Sequence, residues 1–385
     1  MASSRRTVAI GNYDFRSSGT VANSIEIATA AAAAGLPVEL WAIRARGPLL
    51  DRVPQDLPIV EIGRGHWSAG NRKLDMLLCA KNLSATLQRE LPSVFLSGGN
   101  HLHLAARLAM SIGDQRKRIR FGIRASNSSM RPGSRRNADM PLGHRWKYAG
   151  ADFVVAVSRD LATEISRSLP TLNVRFIPNG VDVGRVRRLA SDPFDHRFFG
   201  KAKPCPVIVA MGRISRQKGF DVLIRALAHI SPEVRPRLII IGEGSKAETA
   251  KLHVLAQTCN IAEDVDFLGY LPNPFAAMSR ADLFVCASRW EGASNALNEA
   301  LVCGLPIVAT DCPTGNREAL KNGQYGTLVA PDDPLALAHG IMAELSNGDR
   351  AAMGPEVAGE LNLQARLNEW VELLTYYHRQ AIALQ

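Results

Sequence analysis

Residues 283–311 read LFVCASRWEGASNALNEALVCGLPIVATD, and they contain one complete strand–helix–strand unit. The apolar runs 283–288 and 305–310 have the length and composition of buried strands, and Asn295 to Cys303 has helical spacing. Strands that are apolar along their whole length belong to parallel sheets covered by helices on both faces. Because the same alternation runs through the chain, the sequence predicts an α/β fold built on parallel sheets.

The alternation falls into two series, which indicates two domains. The first series occupies residues 1–180 and the second occupies residues 204–364. Between them, residues 181–203 are interrupted by prolines and glycines, which break long periodic elements and predict a linker. Residues 365–385 follow as a helical segment whose apolar residues recur at helical spacing, so one face of this helix must be buried.

The composition is that of a folded protein without a disulfide framework. Apolar residues make up 46% of the 385 residues and charged residues 21%, which supplies ample material for buried cores. The six cysteines are scattered, with no CxxC pair and no histidine at metal-ligand spacing, so we expect reduced thiols and no metal. The apolar run Val8 to Ile10 is too short for a signal peptide or a membrane span, so we expect a cytoplasmic location.

Basic residues are concentrated in one segment of the chain. The net charge is +10, and between Arg107 and Lys147 eleven Lys or Arg residues stand against two acids. Such a surface suits an anionic lipid, a phosphorylated substrate or nucleic acid. No aromatic-interleaved stacking motif accompanies it, which makes nucleic acid the least favoured of the three. A solvated basic face that binds nothing is the alternative.

The first candidate binding loop is GRISRQKG, residues 212–219, which follows the apolar run VIVAMG. In an open α/β sheet, ligands bind at the carboxyl ends of strands, where helix N-termini carry unpaired amides. The two cations Arg213 and Lys218 suit a diphosphate whose negative charge grows as it leaves a sugar. The alternative is that both are solvated loop cations.

The second candidate loop follows the strand LFVCAS. Glu291 lies in this loop, Gly292 allows close approach to the backbone, and Ser294 or Asn295 can cap the next helix. Two turns into that helix, Glu299 can hold a vicinal diol such as that of a ribose through paired hydrogen bonds. In isolation, the two glutamates would more often be a solvated loop acid and an exposed helix acid.

Three further strand ends carry polar residues. The loop 311–318 follows the strand LPIVAT and can present amides to the same ligand. In the first series, Gly19 lies in a hydroxyl-rich loop that can approach the phosphates. His101 and His103 stand at the head of a helix, where a histidine can orient a sugar hydroxyl or share a proton, and we assign this function to His101. A capping or packing function is the alternative for either histidine.

One pattern points to a different ligand. Gly242, Gly244 and Ala247 match GxGxxA, which is typical of dinucleotide-binding loops. However, Glu243 occupies the tight turn and would repel a pyrophosphate, and the preceding strand is second in its series rather than first. An NAD-dependent dehydrogenase is therefore a minor alternative.

Several motifs together resemble the retaining GT-B glycosyltransferases of family 4, also called glycosyl transferases group 1. The matching segments are FIPNGVD (176–182), GRISRQKGFDVLIRA (212–226), IGEG (241–244), FLGY (267–270) and SRWEGASNALNEALVCGLPIVATDCPTGNREAL (288–320). The resemblance implies two Rossmann-like domains with an interdomain cleft. Residues 1–180 would then form the acceptor side, 204–364 would bind the nucleotide sugar, and the helix 365–385 would pack back on the N-terminal domain.

The resemblance also implies a function for each candidate residue. Arg213 and Lys218 are expected to bind the donor diphosphate, Glu299 the ribose, and Glu291 the transferred sugar, with His101 as a further catalytic residue. The family retains the anomeric configuration and needs no obligatory metal, because the two cations replace a divalent ion. With the loop residues derived above, the predicted donor-binding residues are Gly19, Gly212, Arg213, Lys218, Gly292, Ser294, Asn295, Ala296 and Glu299.

We therefore predict transfer of a hexose or N-acetylhexosamine from a nucleoside diphosphate sugar, UDP-linked rather than GDP-linked. The acceptor would be a saccharide or lipid-linked saccharide of cell-surface polysaccharide assembly, and the nucleotide sugar is a substrate, so no cofactor is expected. A sugar-nucleotide epimerase of the same fold and a non-catalytic donor-binding subunit are the alternatives. Peripheral contact with the inner face of an anionic membrane, near Trp146, is expected through Arg116, Lys117, Arg118, Arg131, Arg135 and Arg136.

Overall fold

The structure is a computed structural model, and it describes residues 6–16, 18–62, 72–112, 115–128, 140–200, 205–347 and 355–383. The described residues divide into two compact units. Residues up to 179 and residues from 364 onward form the first unit, and residues 180–363 form the second. The chain therefore enters the second unit after Asn179 and returns to the first after Leu363.

Seven parallel strands form the sheet of the first unit. They are β1 (Val8–Asn12), β2 (Val38–Ala42), β3 (Ile59–Glu61), β4 (Val94–Ser97), β5 (Arg120–Ala125), β6 (Phe153–Ala156) and β7 (Val174–Phe176). Their order in the sheet is β3-β2-β1-β4-β5-β6-β7. The apolar runs of the sequence predict six of these strands. The short edge strand β3 was missed because Ile59 and Glu61 are exposed and leave no apolar run.

Six parallel strands form the sheet of the second unit. They are β8 (Val207–Met211), β9 (Arg237–Ile241), β10 (Val265–Gly269), β11 (Leu283–Cys286), β12 (Ile307–Thr310) and β13 (Thr327–Val329). Their order in the sheet is β10-β9-β8-β11-β12-β13. Each strand corresponds to an apolar run in the second series of the sequence. The predicted α/β fold with two Rossmann-like parallel sheets is confirmed.

The helices connect the strands and cover both sheets. In the first unit they are α1 (Gly19–Ala33), α2 (Arg72–Glu90), α3 (His103–Ala109), α4 (Gln115–Arg118), α5 (Leu142–Tyr148) and α6 (Arg159–Ser168). In the second unit they are α7 (Val183–Ala190), α8 (Phe220–Ala228), α9 (Lys246–Thr258), α10 (Phe275–Met278), α11 (Asn295–Val302), α12 (Asn316–Ala319), α13 (Pro334–Asn347) and α14 (Pro355–Glu360). Helix α15 (Leu363–Ala383) follows them.

The sheet of the second unit is buried on both faces. Val207 and Val209 of β8 pack with α7, α10 and α11 on one face, and Ile208 and Ala210 pack with α8, α9 and α13 on the other. Successive side chains of a strand point to opposite faces, so a strand that is apolar throughout needs cover on both. The continuous apolar runs of the sequence follow from this arrangement.

The segment 181–203, which the sequence predicted to be a linker, belongs to the second unit. It contains α7, whose N-cap Asp182 accepts a hydrogen bond from the amide of Arg185 over 2.9 Å. Val186 and Phe198 are buried in the core of this unit. The prolines and glycines prevent a long element, but eight residues between them have an apolar face and form a helix that packs on its neighbours.

Helix α15 packs on the first unit. Its apolar face contributes Trp370, Leu374 and Tyr377 to the core, and the Tyr377 ring stacks on Phe153 with centroids 4.1 Å apart. Where the chain changes units, the amide of Val181 donates to the carbonyl of residue 361 over 2.7 Å, so the two crossing segments lie side by side. Among the described residues, no helix has both the length and the apolar character needed to cross a membrane.

Candidate functional site

Three loops meet at the carboxyl edge of the second sheet, because β8, β11 and β12 are neighbours in that sheet. They comprise residues 212–219, 287–294 and 311–315, and we call them the three-loop site. The amide of Arg289 donates to the carbonyl of Gln217 over 2.8 Å, which joins the first loop to the second. The hydroxyl of Thr314 donates to the carbonyl of Glu291, which joins the third loop to the second. Polar groups from separate strand ends are thus held together.

Lys218 and Glu291 form an ion pair in the three-loop site. The Lys218 ammonium lies 2.6 Å from Glu291 Oε1, and both side chains are largely buried. Burial acts to lower the pKa of Lys218, but the charge of Glu291 and its hydrogen bond outweigh burial, and the pKa of Lys218 is raised. Lys218 is therefore charged at neutral pH. Because the pair is neutral as a whole, Lys218 can compensate a bound anion only if its contact with Glu291 changes.

The two carboxylate oxygens of Glu291 have different surroundings. Oε1 receives hydrogen bonds from Lys218 and, over 2.7 Å, from the hydroxyl of Ser288. Within the described part of the chain, Oε2 has only a long contact of 3.4 Å with Gln217 Nε2, which also donates to the carbonyl of Trp290 over 2.9 Å. Oε2 is therefore the carboxylate oxygen best able to accept a hydrogen bond from a ligand hydroxyl. Ser288 and Gln217 were not among the residues predicted from the sequence, although Gln217 directly precedes Lys218 and Ser288 lies three residues before Glu291.

Two glycines allow Lys218 to reach Glu291. At Gly212, where φ is +151°, an added Cβ would lie 2.8 Å from Lys218 Cε. At Gly219, where φ is +64°, an added Cβ would lie 2.0 Å from the carbonyl oxygen of Ala287. The lysine side chain therefore passes over one glycine, and the other lets the first loop pack on the second. A residue with a side chain at either position would displace the cation.

Helix α11 presents its N-terminus to the three-loop site. Ser294 is the N-cap and accepts a hydrogen bond from an amide of the first turn over 3.4 Å, while that turn, which starts with Asn295 and Ala296, holds no acidic residue. No acid of the first turn therefore compensates the positive end of the helix dipole. Glu299 is half-buried further along the helix. Burial and the charge of Glu299 raise the pKa of Cys303 to about 12, and the four-residue spacing puts these two residues on the same side of the helix.

The remaining predicted residues of this unit differ in exposure. Arg213 is exposed on the same loop as the largely buried Lys218. Gly292 is buried, and a Cβ added at Gly315 would lie 2.7 Å from the Gly292 carbonyl oxygen. In the third loop, Asp311 accepts a hydrogen bond from Arg317 Nε over 3.0 Å. The third loop thus packs directly on the backbone beside Glu291.

The glycines of the GxGxxA pattern are used for loop packing. A Cβ added at Gly242 would lie 2.0 Å from the Gly212 carbonyl oxygen, and one added at Gly244 would lie 2.5 Å from another carbonyl of the same loop. Ser245 and Glu248 form a capping box at the start of α9. Because the Glu248 carboxylate already occupies this N-terminus, a pyrophosphate would be repelled there. The geometry argues against an NAD site at this loop.

The predicted residues of the first unit lie at the ends of β1 and β4. Gly19 is the first residue of α1. His101 is exposed, whereas His103 is buried at the start of α3. The Nδ1 atom of His103 lies 2.8 Å from Ser97 Oγ, and its Nε2 lies 3.1 Å from Asn100 Oδ1. Of the two histidines, only His101 is therefore accessible to a ligand.

His103 should make the stability of the protein depend on pH. Burial, with a smaller contribution from the charge of Lys147, lowers the pKa of His103 from its ordinary value of 6.5 to about 3. Between these two pH values the unfolded chain binds more protons than the folded protein. The free energy of unfolding should therefore fall as the pH falls from 6.5 towards 3, by up to about 1.4 kcal/mol per pH unit from this residue, and this contribution is complete above pH 6.5.

Urea denaturation at pH values between 4 and 8 would measure this dependence. The variant His103→Gln should show a flatter pH dependence below pH 6.5 than the unmodified protein. His339→Gln, which changes an exposed histidine of α13, serves as the matched control and should leave the curve unchanged. Equal slopes for the His103 variant and the unmodified protein would show that His103 is not held neutral by the fold.

The basic residues predicted to face a membrane are only partly within the described residues. Arg116, Lys117 and Arg118 are exposed on α4. Arg131, Arg135 and Arg136 lie outside the described residues. Trp146 of α5 is partly exposed, and the Arg107 guanidinium lies 5.2 Å from the centre of its ring.

The cysteines are free thiols. Two of them are buried at the three-loop site: Cys286 is the last residue of β11, and Cys312 belongs to the third loop. Burial is the largest of the causes that raise the pKa of Cys312. Asn316 Nδ2 lies 3.6 Å from Cys286 Sγ. The Cys286 thiol at the end of β11 therefore packs against the residue that directly follows the third loop. Among the described residues, no three His, Cys, Asp or Glu side chains come together as a metal-ligand set.

Solved structures with the same architecture are GT-B glycosyltransferases. One of them is HepE of Anabaena in complex with UDP and glucose, which superimposes with a TM-score of 0.73 at 17% sequence identity. The match covers 96% of this chain and 99% of that chain. At this identity the likeness shows the fold alone. The two parallel sheets thus define the class of the protein, the GT-B fold.

Two family models match the two halves of the sequence. The model described as Glycosyltransferase Family 4 matches residues 18–185, and the model described as Glycosyl transferases group 1 matches residues 205–347. Together they match more than half of the chain. The chain belongs to the family 4 glycosyltransferases, and the resemblance stated from the sequence motifs is confirmed.

Relatives in other organisms share part of their length with this chain. An uncharacterized glycosyltransferase of Methanocaldococcus jannaschii is 27% identical over 268 residues, which is 60% of this chain and 66% of that protein. The N-acetylgalactosamine-N,N'-diacetylbacillosaminyl-diphospho-undecaprenol 4-alpha-N-acetylgalactosaminyltransferase of Campylobacter jejuni is 34% identical over 140 residues, 36% of this chain and 37% of that protein. In neither case does the match span more than two thirds of the relative.

Proposed function

We propose that the protein transfers a hexose or N-acetylhexosamine from a nucleoside diphosphate sugar to an acceptor hydroxyl, with retention of configuration and without a metal. Membership of the family supports a transferase, and the Lys218–Glu291 pair is the observation on which the mechanism depends. The pair puts a buried cation and a carboxylate with one weakly hydrogen-bonded oxygen at the same sheet edge. These are the groups that a departing diphosphate and a sugar hydroxyl would need.

In the proposed complex, the diphosphate lies between the N-terminus of α11 and the two cations. Lys218 is already charged and passes over Gly212, and the exposed Arg213 would turn towards the second phosphate. Both cations would bind the diphosphate more tightly as its charge grows, which lowers the barrier to its departure. Asn295 and Ala296 supply amides to the same phosphates. The half-buried Glu299 holds the ribose diol.

Glu291 binds the transferred sugar. Ser288 and Lys218 fix the carboxylate through Oε1, so Oε2 is presented in one orientation. A hydroxyl of the sugar donates to Oε2, and this contact orients the anomeric carbon. Because the donor diphosphate approaches Lys218 at the same time, the Lys218–Glu291 contact loosens as each partner engages the substrate.

Retention follows from attack on the face from which the diphosphate departs. The new bond between the anomeric carbon and the acceptor oxygen forms as the bond from that carbon to the diphosphate oxygen breaks. The proton of the acceptor hydroxyl passes to the departing diphosphate oxygen, so no protein base is required for this step. The two cations compensate the negative charge that develops on the departing diphosphate. The proposal therefore needs no divalent ion.

The acceptor is a saccharide or lipid-linked saccharide of cell-surface polysaccharide assembly. The Campylobacter relative, whose name specifies a diphospho-undecaprenol-linked acceptor, supports a lipid-linked acceptor here. His101, exposed at the end of β4, is the residue proposed to orient the acceptor. We propose that the protein works in the cytoplasm at the inner face of the membrane, in contact with anionic lipid through its basic residues.

Incubation of the protein with UDP- and GDP-linked hexoses and N-acetylhexosamines, with and without undecaprenyl-diphosphate-linked acceptors, tests the proposal. Mass spectrometry should detect a glycosylated acceptor and free nucleoside diphosphate in stoichiometric amounts, with EDTA having no effect. NMR of the product should show the anomeric configuration of the donor. Conversion of the donor into an epimer without any acceptor would favour the epimerase alternative instead. Donor binding without turnover across the panel would favour a binding subunit.

A further inference from the structure

One surface of the first unit combines exposed apolar side chains with basic ones. It is formed by the end of α3, by α4 and by α5. Leu142 is 80% exposed, Trp146 41% and Ile112 48%. Leu142 and Trp146 are four residues apart on α5, so they lie on the same face of that helix. Soluble monomeric proteins rarely expose a cluster of large apolar side chains on one surface.

Basic residues surround these apolar side chains. Arg116, Lys117 and Arg118 of α4 are all exposed, and Arg107 stacks on the Trp146 ring at 5.2 Å. We call Arg107, Ile112, the basic residues of α4, Leu142 and Trp146 the α4–α5 patch. The patch lies in the segment that carries eleven Lys or Arg residues against two acids.

Specific contacts hold the three elements of the patch in place. A Cβ added at Gly150, where φ is +82°, would lie within 1.3 Å of Arg116 Nη2, so the Arg116 guanidinium rests on the backbone that follows α5. Arg145 Nε donates to the carbonyl of Met140 over 3.0 Å, which fixes the start of α5. Helix α3 packs against α5. The apolar and basic side chains are therefore presented together by a structured surface.

The chemistry of the patch fits an anionic lipid bilayer better than another polyanion. Arginine and lysine side chains attract anionic headgroups, and tryptophan is favoured at the boundary between headgroups and acyl chains. Nucleic acid would use the cations, but most of its contacts with proteins are to phosphate and sugar, which offer little to an aliphatic side chain such as Leu142. A bilayer uses both, because apolar side chains can enter it while the cations remain among the phosphates.

We propose that the α4–α5 patch docks the protein on an anionic bilayer, with Leu142 and Trp146 entering the headgroup boundary. Arg116, Lys117 and Arg118 then contact lipid phosphates, and the first unit faces the membrane. This inference rests on the proposed function in that a lipid-linked acceptor is embedded in such a bilayer. It goes further by assigning the contact to one surface and by requiring that apolar side chains enter the lipid.

Vesicle co-sedimentation of the full chain tests the docking. The protein should bind vesicles of phosphatidylglycerol and phosphatidylcholine, and bind pure phosphatidylcholine weakly. Lys117→Glu/Arg118→Glu should weaken binding by at least about tenfold. The matched charge control is Arg187→Glu/Arg188→Glu, which reverses two exposed arginines of α7 and should have little effect. Equal weakening by both double variants would show that vesicle binding depends only on the net charge of the protein. It would overturn the assignment to this patch.

The entry of apolar side chains is tested separately. Leu142→Asp should weaken vesicle binding by at least about tenfold, whereas Val254→Asp, at a residue of α9 that is 59% exposed, should not. Lipids brominated near the headgroup should quench the tryptophan fluorescence of the unmodified protein more than that of Trp146→Phe. Binding that depends on charge but not on Leu142, with no quenching from Trp146, would overturn the insertion.

Binding of UDP and of UDP-sugars in solution separates this inference from the proposed function. The α4–α5 patch variants should bind nucleotides as the unmodified protein does, and their melting temperatures verify that they are folded. Vesicle binding without nucleotide binding would support the docking surface and contradict the proposed donor site. Nucleotide binding and sugar transfer without vesicle binding would support the proposed donor site and contradict the docking surface.

Discussion

Replacing Lys218 with alanine is expected to lower kcat by at least about a hundredfold, and Glu291→Ala is expected to have an effect of similar size. Lys218→Ala removes the buried cation on which the departing diphosphate depends. Glu291→Ala removes the carboxylate that orients the sugar and leaves Lys218 without its 2.6 Å partner. Because the two residues act as a unit, the double variant should be little worse than either single variant.

Single-turnover rates of the three variants, measured with saturating donor, would check this result. Arg216→Ala is the matched control, because Arg216 is an exposed cation in the same loop as Lys218, and it should change kcat by less than about threefold. Thermal unfolding must show that each variant is folded. If Lys218→Ala kept most of its activity while folded, the proposed compensation of the diphosphate would be wrong.

Replacing Gly219 with alanine is expected to destabilise the protein by about 3 kcal/mol and to reduce turnover. The left-handed backbone at this residue costs about 1 kcal/mol for a residue with a side chain. In addition, the new Cβ would lie 2.0 Å from the Ala287 carbonyl oxygen, which is a backbone atom and can move only with its loop, at a further cost of about 2 kcal/mol. The loop that carries Lys218 would then be displaced from the loop that carries Glu291.

Gly304 provides the matched control for this substitution. Its φ is +71°, close to the +64° of Gly219, but an added Cβ would meet nothing within 4 Å. Gly304→Ala should therefore cost only the backbone strain of about 1 kcal/mol and leave kcat unchanged. Urea denaturation and kcat measurements on both variants would separate the two contributions. Equal stabilities for the two variants would show that the first loop does not need the close contact with Ala287.

The sheets were largely predictable because parallel strands buried on both faces must be apolar along their length. The strand LFVCAS and its counterparts could be found from composition alone, and the loops after them were expected to meet at one edge. Shorter or less apolar elements were not found. Strand β3 has two exposed residues, and α7 is enclosed by prolines and glycines that suggested a linker.

The sequence indicated which residues belong to the candidate site but not how these residues contact one another. Lys218 and Glu291 were both expected near a ligand, yet their contact with each other depends on the close passage of the lysine over Gly212. Ser288 was overlooked because a serine at a strand end has no distinctive spacing. The two histidines were equivalent in the sequence, and only burial by the surrounding helices distinguishes His103 from the exposed His101.

The position of α15 has a consequence for how the protein is made. Within the described residues, the second unit is the single segment 180–363, whereas Trp370 and Tyr377 of α15 complete the core of the first unit. On the ribosome, the later-synthesised unit can therefore close its core first. In the unit synthesised earlier, Phe153 lacks its stacking partner Tyr377 until α15 emerges. During that interval we expect this unit to expose apolar surface to which chaperones bind.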